Sequence, residues 1–127
     1  MKDILIVAPT IRVYKNSLKA VENNEFENVE ICRGILEDGL KEAEKFIEKG
    51  GKIIISRGGT YDLIKKFVSV PIIEIKVTID DCIEAYNKLE KDDDNIGIIG
   101  FKNVTYGFEA LNSFCKGGGE KNFVAMR

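Results

Sequence analysis

Five times along this chain an apolar run of strand length is followed by apolar residues recurring at helical spacing. Ile4-Leu5-Ile6-Val7-Ala8 precedes Tyr14, Leu18 and Val21. Val29-Glu30-Ile31-Cys32 precedes Leu36, Leu40, Ala43 and Ile47. Ile53-Ile54-Ile55 precedes Leu63, Ile64 and Phe67. Val70-Pro71-Ile72-Ile73-Glu74-Ile75 precedes Cys82, Ile83, Tyr86 and Leu89, and Ile96-Gly97-Ile98-Ile99-Gly100 precedes Val104, Phe108, Leu111 and Cys115. Continuous β-branched runs suit strands buried on both faces, which is the environment of a parallel sheet. Their alternation with helices across short turns predicts an α/β fold, a three-layer sandwich with helices on both faces of a parallel five-stranded sheet. Right-handed connections and the polar character of the second run predict the flavodoxin-like order 2-1-3-4-5, with the second strand at an edge.

Local punctuation supports the same division. Asn23-Asn24 and Gly50-Gly51 are helix stops, and Thr78 or Asp80 can cap the fourth helix. Residues 1–116 read as one α/β lobe. Residues 117–127 form a tail without a clear rhythm, in which Phe123-Val124-Ala125 is either a short strand or a frayed end, or the entry to a second similar lobe.

Chemistry concentrates after the third strand, in Ser56-Arg57-Gly58-Gly59-Thr60. Thr60 stands where an N-cap belongs, just ahead of the helical pattern. A glycine-rich turn between a buried strand and a helix start directs backbone N–H groups outward, the helix dipole adds partial positive charge, and Arg57 adds a full one. Such a turn suits a carboxylate or a phosphate, with Gly59 expected to need a positive φ. The plainer reading is that the glycines only make the turn and Arg57 pairs with a surface carboxylate. In open parallel sheets ligands bind outside the carboxyl ends of the strands. Those ends carry Thr10; Ser56 to Thr60; Lys76; and Lys102, Asn103 and Thr105 in the loop after the fifth strand. Three cations and no carboxylate among these residues fit an anionic small molecule, although lysines are ordinary surface residues too.

Composition excludes several classes. A formal net charge of −2 provides no basic field for direct nucleic-acid binding. No apolar run is long enough to span a bilayer. Met1-Lys2-Asp3-Ile4 runs straight into a strand, which reads as no secretory leader, and three dispersed cysteines fit free thiols in a reducing cytoplasm. The absence of histidine removes the commonest general base and metal ligand. Asp92-Asp93-Asp94 lacks the alternating ligands, glycine and closing glutamate of a calcium loop, so no metal is expected. A phosphorylated receiver domain would need carboxylates after the first and third strands, and Pro9-Thr10 and Ser56-Arg57 stand there instead. Neither a flavin loop, a Walker-type motif nor a dinucleotide fingerprint follows a strand. No catalytic residue and no cofactor is expected.

The ordered series Ile55 to Thr60, Leu63-Ile64, Val70 to Ile75, Asp80-Asp81 and Ile98-Ile99-Gly100-Phe101-Lys102-Asn103-Val104-Thr105-Tyr106-Gly107 resembles the N-terminal sensory domain of the propionate catabolism activator family. The resemblance implies an effector-binding, ligand-sensing module of a sigma-54-dependent transcriptional regulator, in which ATP and DNA are handled by other modules. It also implies two α/β lobes with a 2-methylcitrate-like carboxylate between them. Carried over by position, Ser56 to Thr60 forms one wall of the site and Lys102 to Thr105 faces it. Only eleven residues follow Lys116, so the chain reads as a fragment or a reduced relative of a longer regulator. One lobe alone offers half a site and leaves apolar surface that favours a homodimer. Two other readings stay open: a small lyase or transferase using a desolvated lysine on an anionic substrate, and an interaction domain with no ligand.

Overall fold

The structure, a computed structural model, describes residues 2–88, 95–115 and 122–126, with side chains placed through residue 88 and across 98–109. The chain divides into two compact units, Met1–Ile75 and Lys76–Arg127.

The first unit contains β1 (Ile4–Ala8), α1 (Ile11–Asn23), β2 (Val29–Arg33), α2 (Glu37–Glu48), β3 (Ile53–Ser56), α3 (Gly58–Phe67) and β4 (Ile72–Glu74). Its four strands are parallel in the order β2-β1-β3-β4. Ile4 lies level with Val29 on one side and Ile53 on the other, so β1 is central. Alternate strand residues share a face. Leu5, Val7 and Ile54 therefore point together and meet Ala43 and Phe46 of α2 and Ile64 of α3 in the core. The step from β1 to β2 runs opposite to the steps toward β3 and β4. Right-handed crossovers then place α1 on the other face from α2 and α3, over β1 and β2; on that face Ile4, Ile6, Ile53 and Ile55 are half-buried.

Helix ends follow local chemistry. Thr10 caps α1 by accepting from the Val13 N–H at 3.3 Å. α2 stops where Gly50 takes φ 96°, and a Cβ on Gly51 would lie 2.2 Å from the Phe46 ring, so both stop glycines are required.

The second unit contains α4 (Ile79–Asn87), β5 (Asn95–Ile99), α5 (Lys102–Cys115) and β6 (Asn122–Met126). Thr78 and Asp81 form a reciprocal capping box at the start of α4, with bonds of 2.8 and 3.1 Å. A Cβ on Gly107 would lie 2.6 Å from Cys82 Sγ, so the glycine is what lets α5 approach α4. The expected order 2-1-3-4-5 holds through β4 and stops there. β5 does not extend that sheet; it pairs in parallel with β6, from Asn95 level with Asn122 to Ile99 level with Met126. β4 offers only three residues to a neighbour, whereas β6 offers five aligned partners. The segment around Phe123-Val124-Ala125 is a strand. The Asp92-Asp93-Asp94 turn lies outside the described residues.

Candidate functional site

The carboxyl ends of β1 and β3 lie side by side in the first unit and bring Thr10 and Ser56 to Thr60 to one rim. Each residue there has a distinct local role. Thr10 is exposed, and its hydroxyl serves α1. Ser56 is 0% exposed; its Oγ donates to the Val7 carbonyl at 2.8 Å, extending the tie between β3 and β1 by one residue beyond their ladder. The Ser56 carbonyl accepts from the Ile75 N–H at 2.8 Å. Ser56 therefore holds the strands in place beneath the rim.

Arg57, not Thr60, is the N-cap residue of α3. It is extended, at φ −140° and ψ 152°, and its side chain makes no capping hydrogen bond. Gly58 takes φ 62°, which lets the chain turn from strand to helix at once. The positive φ expected at Gly59 belongs to Gly58 instead. The first intrahelical bond runs from the Tyr61 N–H to the Arg57 carbonyl at 3.2 Å. The amides of Gly59 and Thr60 thus precede the helical ladder, where the dipole is positive. The first turn of α3 carries no acidic residue, whereas the first turn of α2 carries Glu37 and Asp38. Of these two helix starts, only that of α3 lacks its own counter-charge.

Thr60 sits inside α3 and is 2% exposed. Its Oγ1 accepts the Leu36 N–H at 2.8 Å, so the hydroxyl faces the turn between β2 and α2. That turn is tightly packed: a Cβ on Gly39 would lie 2.6 Å from Thr60 Cγ2 and 3.1 Å from Val7 Cγ1. Two features of this rim were not singled out from sequence. Arg33 ends β2 level with Ala8 and is exposed. Ile35 and Leu36 expose apolar side chains beside it. The predicted strand order puts β2 beside β1, but nothing in the sequence shows that Arg33 stays exposed at this rim.

In the second unit α5 begins at Lys102, so Lys102, Asn103 and Thr105 belong to its first turn, not to a loop before it. The Val104 and Thr105 N–H groups both donate to the Phe101 carbonyl, at 2.9 and 3.0 Å. Thr105 is 0% exposed, and its Oγ1 is buried without a hydrogen-bond partner among the described residues. Lys102 is exposed, as is Lys76 ahead of α4. Neither lysine has the buried setting that a Schiff-base or general-base lysine requires.

The two described thiols, Cys32 and Cys82, are equally unsuited to nucleophilic chemistry. Burial, with Glu42 and Glu30 nearby, pushes Cys32 up to about 11, and burial with Asp81 raises Cys82. Among the described residues no group of three His, Cys, Asp or Glu side chains could hold a metal ion, and no helix is long and apolar enough to cross a membrane. The start of α3 sets the Gly59 and Thr60 amides next to Arg57 in the chain, groups of the kind that can meet an anion, while the Thr10, Ser56 and Thr60 hydroxyls are engaged in the bonds described above.

The family model described as propionate catabolism activator matches residues 23–116. This chain belongs to that family. Comparison with curated proteins and with solved structures gives no match. For a propionate catabolism activator domain the matched span includes Ser56 to Thr60, Lys76 and Lys102 to Thr105, and it leaves Thr10 outside. Family membership points to a regulatory domain of an activator rather than to a catalyst.

Proposed function

We propose that this propionate catabolism activator domain senses a small carboxylate, of the 2-methylcitrate type, at the carboxyl ends of β1 and β3. The observation that carries the reading is the start of α3. Its first turn follows β3 directly, has no side-chain cap and no acidic residue, and adjoins Arg57. A carboxylate there would accept from the Gly59 and Thr60 amides and meet the Arg57 guanidinium. In an intact sigma-54-dependent regulator in the cytoplasm, the bound effector would set the activity of separate ATPase and DNA-binding modules. The exposed positions of Lys76 and Lys102 favour this reading over a lysine-based lyase or transferase.

A thermal-shift series over di- and tricarboxylates tests it. A ligand at one hundred times its Kd stabilises by about 2.7 kcal/mol, an easily read shift. Arg57→Ala is expected to abolish the carboxylate-induced shift while leaving the chain folded, with a cooperative unliganded melt as the control. Unchanged calorimetric heats in that variant would place the effector elsewhere. A turnover assay on any hit separates sensing from catalysis: consumption of the ligand would overturn the reading.

A further inference from the structure

Leu36 stands at φ 50° and ψ −116°. It is the first central residue of a turn closed by the Asp38 N–H on the Ile35 carbonyl at 3.1 Å. Glycine enters that conformation freely, and a leucine enters it only under strain. Burial does not account for the leucine, because its side chain is 36% exposed and that of Ile35 is 58% exposed. The restraint on the turn comes from outside it. The Leu36 N–H is held by Thr60 Oγ1 at 2.8 Å, and the Gly34 N–H by the Ala8 carbonyl at 3.1 Å. Thr60 is almost fully buried, with its methyl against Gly39. The Leu36 carbonyl meanwhile accepts the Leu40 N–H at 2.9 Å, the first bond of α2. One strained residue thus grips the first turn of α3 on one side and starts α2 on the other.

We propose that Leu36 and Thr60 form a link that passes occupancy of the α3 mouth to the N-terminus of α2. Thr60 is the coupling and the strained Leu36 is the spring. The trigger rests on the effector site proposed above. An anion drawing on the first-turn amides of α3 moves Thr60, and with it the acceptor that holds Leu36. Leucine has no low-energy path between its present φ and the negative-φ basins, so the turn has two discrete positions rather than a continuum. Ala43 and Phe46 then carry the change from α2 into the core.

Amide hydrogen exchange on the full chain, with citrate as the probe, tests the link. The reporters are the amides of Asp38 and Leu40, and the Ile54 amide, bonded to the Pro71 carbonyl, is the sheet reference. In the wild type, citrate is expected to slow Ile54 only as far as the overall stabilisation requires, and to change exchange at Asp38 and Leu40 by about tenfold relative to Ile54. Leu36→Gly releases the spring; it is expected to keep the citrate-induced thermal shift and lose the response at Asp38 and Leu40. Without citrate, Thr60→Val is expected to speed exchange at both reporters and Thr60→Ser to restore it. A thermal shift without any change at Asp38 and Leu40 relative to Ile54 overturns the link and leaves the effector site standing. A full response in Leu36→Gly, or equal acceleration of Ile54 in Thr60→Val, also overturns the link. No thermal shift with citrate or any other carboxylate overturns both.

Discussion

A methyl group added at Gly58 would have to sit on a backbone held at φ 62°. Gly58→Ala is therefore expected to lower stability by about 1 kcal/mol or more, measured by urea denaturation. Gly59 has no positive φ, so Gly59→Ala is expected to cost less. Sequence shows two adjacent glycines as equivalent; only the backbone path separates them. Ser56→Ala would leave the Val7 carbonyl without its side-chain donor in a fully buried setting, at a cost of about 1–3 kcal/mol. Cys32 gives a pH signature. Its thiol is raised from the usual 9.0 to about 11, so the folded state holds a proton that the unfolded chain releases. That contribution to stability is intact below pH 9.0 and is lost as pH rises through about 11. Cys32→Ala is expected to flatten the fall in thermal midpoint across that window.

The start of α4 and the start of α3 look alike in sequence, since each has a threonine just ahead of an apolar helical pattern. Thr78 fulfils the local rule: its capping box with Asp81 closes within four residues. Thr78→Ala is expected to cost about 1 kcal/mol, with fraying of α4 visible in exchange of the Asp81 amide. Thr60 departs from the rule because its partner, the Leu36 N–H, lies 24 residues away in sequence. The same contrast runs through the whole reading. The β-branched runs and Gly50-Gly51 made strands and stops legible from local chemistry. The strand order through β4 was legible, but the strain at Leu36, the role of Ser56 beneath the rim and the place of Arg33 depend on which individual groups meet across neighbouring elements, and one sequence does not state that.

At the scale of the molecule the informative departure is β5. Its apolar run was legible as a strand, but its partner was not, because Phe123-Val124-Ala125 is too short to distinguish from a frayed end. The parallel pairing of β5 and β6 makes a βαβ unit of β5, α5 and β6. A chain ending before Asn122 is expected to lose exchange protection at Ile96 and Ile98, with the Ile54 amide as the internal reference. Retained protection would show that the β5 ladder does not depend on β6.

The hydroxyl of Thr105, shut away from solvent and without a hydrogen-bond partner among the described residues, has a practical consequence. Valine offers the same outline without a polar atom to desolvate, so Thr105→Val is expected to raise the melting temperature, by the equivalent of about 1 kcal/mol. A fold that can be hardened by one atom is not tuned for maximal endurance, and that position is where engineering of a sturdier variant should begin.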